Sequence, residues 1–109
     1  MFDLTLTDEQ NDLVATAREF AKKEIAPVAG PLDEEGTFPH EICRKAFELG
    51  LLSAEVPEAY GGLGLSCLTH CLIQEEIAWG CAAVNTTVAA NMLGAMPLFV
   101  AGSEEQKQK

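Results

Sequence analysis

Between Cys81 and Gly102 the chain has no charged side chain, although its formal net charge is −10. Basic residues are scarce, seven against seventeen acidic ones. That balance disfavours nucleic acid and anionic membrane surfaces, which both require clustered cations. Aromatics make up only 6% of the 109 residues, so the core must be aliphatic. The four cysteines, Cys43, Cys67, Cys71 and Cys81, form no C-x-x-C pair. This removes the usual signature of structural zinc or of a redox disulfide. The opening residues lack a basic start followed by an apolar run, so they do not read as a secretory signal or an Arg-rich transit peptide. No apolar/polar alternation persists long enough to predict a strand.

What is present is helical periodicity, and the length suits one domain with one core. Thr7 and Gln10 have the spacing of a capping box, which starts a first helix. Pro27 should kink or divide it, with a short second helix to about Asp33 and a loop around Gly36. Pro39 should open a third helix, with Ile42, Cys43, Ala46, Phe47 and Leu49 on its apolar face and Gly50 as its terminator. The glycine-rich stretch from Pro57 to Leu65 lacks the G-K-[ST] and G-x-G-x-x-G patterns and any preceding strand, so it reads as a tight loop between helices. Ser66 should cap a fourth helix to about Trp79. That helix is apolar nearly all round, which predicts a central, buried position. Cys67 and Cys71 fall one turn apart on one face, and as reduced thiols they are expected to pack as small hydrophobes. Glu75 and Glu76 point about 100° apart and cannot act together across one substrate. One should meet solvent and the other a basic partner.

The uncharged run predicts a last long helix from about Ala82 to Val100, buried, and interrupted and bent at Pro97. Its Asn, Thr and Gly content makes it a poor membrane span. Ser103 and Gln106 form another capping box close to Lys109. A cap this near the last residue predicts a fragment of a longer polypeptide.

No catalytic constellation emerges. His40 and His70 fall on different helices without nearby partners in sequence. On the last helix, Asn85, Ala89, Leu93 and Met96 share one face. Two readings of that face stand: close packing of small residues, or a channel wall for an apolar ligand with Asn85 as its polar handle.

The segments Pro57–Leu65 and Ile73–Gly80 resemble the N-terminal helical domain of acyl-CoA dehydrogenases. So do Thr7–Gln10, Ala17–Ala21, Ile25–Val28, Ala46–Leu52, Asn91–Pro97 and Ala101–Lys107. The resemblance covers essentially residues 1–109 and is nearest the medium-chain type. It implies an all-α fold, an up-and-down-like helical bundle, followed in the family by a central β-domain and a C-terminal helical domain. It implies FAD as cofactor, not held by this fragment alone. It implies a fatty acyl-CoA substrate oxidised to trans-2-enoyl-CoA in β-oxidation, with electron-transfer flavoprotein as electron acceptor. A carboxylate removes the α-proton and the β-hydride passes to the flavin in that family. The base is expected beyond Lys109, so no residue here is assigned a catalytic role. Asn85, Ala89 and Leu93 match wall positions of the acyl channel, with Thr86, Thr87 and Val88 less firmly placed. Ala89 departs from medium-chain relatives, which commonly carry Glu there, and a shorter residue should deepen the channel. A homotetramer is implied for the full enzyme, in the bacterial cytoplasm or the mitochondrial matrix. Two other classes remain open: a stand-alone helical interaction module without redox activity, and part of an acyl-CoA oxidase. The isolated fragment is expected to be inactive and to self-associate through uncovered apolar faces.

Overall fold

The computed structural model describes residues 3–109. Thr7 caps α1 (Asp8–Phe20) through a complete capping box: its side chain accepts from the Gln10 amide, and the Gln10 side chain accepts from the Thr7 amide. α1 does not break at Pro27. It passes through one π-helical turn, Ala21–Ile25, directly into α2 (Ala26–Glu35). The widened turn lets the Ala26 amide reach the Ala21 carbonyl. A proline in a regular helix lacks its donor and collides with the carbonyl four residues back. Widening the ladder just ahead of Pro27 accommodates the ring without ending the helix. α2 also carries Pro31, buries no side chain fully, and ends at Gly36 with φ 63°. The expected loop from Asp33 to Phe38 therefore begins only after Glu35.

α3 (His40–Glu48) starts one residue after Pro39. Ile42 and Ala46 are buried, whereas Phe47 and Leu49 of its expected apolar face are exposed. Gly50 follows in the left-handed region at φ 75°. Ser66 caps α4 (Cys67–Gly80), its hydroxyl accepting from the Thr69 amide. Cys81 alone, in extended backbone, separates α4 from α5 (Ala82–Ala101). Ser103 caps the short α6 (Glu104–Lys107). Among the described residues there is no strand.

The core is aliphatic apart from Phe20, as the composition requires. It joins Ala17, Ala21 and Ile25 of the first long helix to Ile73 and Ile77 of α4 and to Val84 and Val88 of α5. Full burial of an Ile or Val side chain contributes about 1.5–3 kcal/mol each. Gly80 is needed for close approach. A Cβ there would lie 3.1 Å from the Ile25 Cβ and 3.2 Å from the Ala21 Cβ. The end of α4 thus sits directly on the π turn.

Two burial expectations fail. α4 buries only one stripe, Thr69, Ile73 and Ile77, and leaves Trp79 exposed. α5 likewise buries only Val84, Val88 and Met92. One helix face suffices to close a core of this size, so the other apolar faces are left uncovered. α5 also runs through Pro97 without interruption.

Candidate functional site

α5 is positioned by its buried stripe. Val84, Val88 and Met92 recur every four residues and hold the helix against the core. Asn85, Ala89 and Leu93 each follow a member of that stripe by one residue. Since successive helical residues turn by about 100°, they lie on one flank of it. Ala83, Thr87 and Asn91 each precede a member and lie on the opposite flank.

The two flanks differ. The Ala83/Thr87/Asn91 flank is concave. A cleft of about 650 Å³ lies between α3 and α5, with Cys43, Phe47, Leu52, Thr87 and Asn91 in its lining. A second of about 420 Å³ is lined in part by Leu32, Phe38, Cys81, Val84 and Thr87. Neither cleft includes Asn85, Ala89 or Leu93. Those three share the other flank: Asn85 and Ala89 are half-buried, and Leu93 is 76% exposed. The Asn85 Oδ1 atom is sealed from solvent and has no hydrogen-bond partner. A Cβ added at nearby Gly94 would meet nothing within 4 Å.

Of the less firmly placed channel residues, Val88 belongs to the core. The hydroxyls of Thr86 and Thr87 donate to the carbonyls of Ala82 and Ala83 at 3.0 and 3.1 Å. Engaged in this way, they leave the helix surface with little free polarity. The α3–α5 cleft was missed by sequence reasoning, because its walls come from two helices distant in sequence. The four-residue recurrence of Ala83, Thr87 and Asn91 was the available signal.

No charged group lies on α5. The adjacent acidic pair on α4 divides as expected. Arg18 donates from Nε to Glu76 Oε2 at 2.9 Å and through a terminal nitrogen to Oε1 at 2.5 Å, while Glu75 is exposed. The Glu76 hydrogen bonds hold the Arg18 guanidinium above its ordinary pKa. His70 sits on α4 with Nε2 3.8 Å from Glu55 Oε2 and Nδ1 sealed without a partner. Among the described residues no three His, Cys, Asp or Glu side chains are grouped to hold a metal ion.

The glycine-rich segment is a closed loop. After a short 3-10 turn at Glu58–Tyr60, Gly61 takes φ 85° and Gly64 φ 59°. The amides of Gly61 and Gly62 donate to Glu58 and Pro57, at 3.0 and 3.2 Å. Those of Gly64 and Leu65 donate to Val56 and Ala54, both at 2.8 Å. A phosphate cradle needs free amides aimed at the anion. Here they close the loop on itself, so it does not fit the pyrophosphate of a flavin nucleotide.

The family described as acyl-CoA dehydrogenase, N-terminal domain, matches residues 7–109. The chain belongs to the acyl-CoA dehydrogenase family. A probable medium-chain specific acyl-CoA dehydrogenase, mitochondrial, of Caenorhabditis briggsae is 41% identical over 108 residues, covering 99% of this chain and 26% of that protein. The short-chain specific acyl-CoA dehydrogenase, mitochondrial, of Homo sapiens is 40% identical over 104 residues, covering 94% of this chain and 25% of that protein. The solved structure of butyryl-CoA dehydrogenase from Megasphaera elsdenii superimposes with a TM-score of 0.87 at 34% identity, over 98% of this chain and 29% of that one. A chain in a structure described as the electron transferring flavoprotein of Acidaminococcus fermentans gives a TM-score of 0.90, also at 34% identity, over 98% of this chain and 28% of that one. The chain therefore spans about a quarter of the length of these relatives. Its fold is that of the family's all-α N-terminal domain, and its relatives include both mitochondrial and bacterial proteins.

Proposed function

We propose that this chain is the N-terminal helical part of an FAD-dependent acyl-CoA dehydrogenase. In this reading the whole enzyme oxidises a fatty acyl-CoA to the trans-2-enoyl-CoA and passes electrons to an electron-transfer flavoprotein. Flavin, base and thioester are handled by the other domains, and the full enzyme assembles as a homotetramer. The part played by these residues is to bound the acyl tail. Asn85, Ala89 and Leu93 form one wall of the tail channel, and the remaining domains close it.

The uncovered flank of α5 supports this reading. A mostly exposed Leu93 next to the small Ala89 is an apolar surface without a partner in these residues. A fatty chain requires such a wall, apolar and free of charge. α5 is also long and apolar enough to cross a membrane by length and composition alone. Asn85, Thr86, Thr87 and Asn91 are spread around it, and lipid leaves buried polar groups costly. Its family match favours the channel wall.

A chimera tests the proposal. This chain replaces the matching segment of the Megasphaera elsdenii butyryl-CoA dehydrogenase. The expected product is a yellow protein that is bleached by saturated acyl-CoA and yields the 2-enoyl thioester. A chimera that folds and holds flavin but reduces it with no acyl-CoA of any length would overturn the reading.

A further inference from the structure

Cys67 and Cys71 are both free and exposed, against the expectation that they pack as small hydrophobes. Cys67 is the first residue of α4 and Cys71 lies one turn on. Helical residues four apart are surface neighbours, so the two thiols share one exposed face. The other thiols cannot join them. Cys43 lies on α3, and Cys81 is ten residues beyond Cys71, about 15 Å along the helix axis.

The surroundings of the pair are acidic. The neighbouring Cys71 thiol, and after it the Glu55 carboxylate, hold the Cys67 thiol above its ordinary pKa. A thiolate at Cys67 is therefore repelled by these neighbours. A ligand that takes both sulfurs at once, and is itself electrophilic, removes that repulsion. Among the described residues no third donor is grouped with them to hold a metal ion. The ligand must then be satisfied by two sulfurs, and soft thiolates select soft, thiophilic partners.

We propose that Cys67 and Cys71 form a two-thiol site for a thiophilic trivalent arsenical. Reaction with an organoarsenic oxide forms two arsenic–sulfur bonds and breaks the arsenic–oxygen bonds. Both thiol protons leave on that oxygen as one water. Arsenic stays trivalent and neither sulfur is oxidised. Closing the second bond within one chain raises affinity over a single thiol by about 100-fold or more.

Phenylarsine oxide is the probe, added to the intact chain with excess glutathione as a monothiol competitor. Intact mass should show one arsenical per chain with loss of one water, removed by a dithiol and not by glutathione. Cys67→Ser and Cys71→Ser should each lose the glutathione-resistant adduct, while Cys43→Ser and Cys81→Ser keep it. Both substituted positions are exposed, and unchanged helical circular dichroism verifies folding. An adduct that survives Cys67→Ser or Cys71→Ser, or one in the intact chain that glutathione strips, would overturn the proposal.

Discussion

Tyr60 donates its phenolic proton to Glu104 Oε2 at 2.7 Å, fastening the glycine-rich loop to the first residue of α6. Its ring lies 5.9 Å from that of Phe99, near the end of α5. Two pKa values move in consequence. The Glu104 hydrogen bond holds the Tyr60 hydroxyl above its ordinary value. The Tyr60 hydroxyl, and then Lys107, hold the Glu104 carboxyl below the usual carboxylate range. A raised tyrosine pKa contributes stability present below its unfolded value and lost as pH rises through the folded one. A depressed carboxyl pKa contributes stability present above its unfolded value and lost as pH falls through the folded one. The contact therefore holds across neutral pH and opens at both extremes. Tyr60 is the only tyrosine, so ultraviolet absorbance titrates it without interference. Glu104→Gln should return that titration toward free tyrosine. Identical curves for both proteins would show that the bond is not made in solution.

Two glycines should respond oppositely to alanine. At Gly62 an added Cβ would lie 2.0 Å from the Val56 carbonyl oxygen, a backbone atom that cannot swing aside. Gly62→Ala should destabilise the chain by about 1–3 kcal/mol. Gly94 lies within α5 with open space where its Cβ would be. Gly94→Ala should stabilise by about 0.5–1 kcal/mol, by removing backbone freedom from the unfolded chain. Urea denaturation of both variants reads the two signs directly.

The uncovered apolar surface should drive self-association of the isolated chain. Leu93, Leu98 and Val100 on α5 and Leu68 and Trp79 on α4 are all exposed large hydrophobics. Exposed patches of this kind mark surfaces that seek a partner. Sedimentation should show mass rising with concentration, and the double variant Leu93→Lys/Val100→Lys should shift the population toward monomer. A wild-type chain that stays monomeric at high concentration would rule this out.

Local chemistry made most of the fold legible. The capping boxes at Thr7 and Ser103 and the caps at Ser66 and Gly50 are where side-chain spacing put them, because each depends on neighbours within four residues. Proline was only partly legible. A π turn ahead of Pro27 divides the first helix from the second, as expected, but without breaking the run, and α5 continues through Pro97 without the expected interruption. Burial was least legible. Apolar composition shows that a face can be buried but not whether anything covers it, which is why α4 and α5 read as buried and are each buried on one stripe only. The face carrying Asn85, Ala89 and Leu93 was visible from periodicity. The concave flank opposite it was not, because residues from α3 must meet α5 to make it.

In the proposed channel it is the Ala89 flank of α5, and not the Asn91 flank, that limits the acyl tail. The most direct measurement is the chain-length profile of flavin reduction in the chimera, for the parent, Ala89→Glu and Asn91→Glu. A carboxylate in an apolar channel opposes both the volume and the desolvation of a long tail. Ala89→Glu should lower the long-chain to short-chain rate ratio by about tenfold or more, with Asn91→Glu leaving the ratio unchanged. An unchanged ratio in Ala89→Glu, or an equal fall in both variants, would contradict the assignment of this flank as the channel wall.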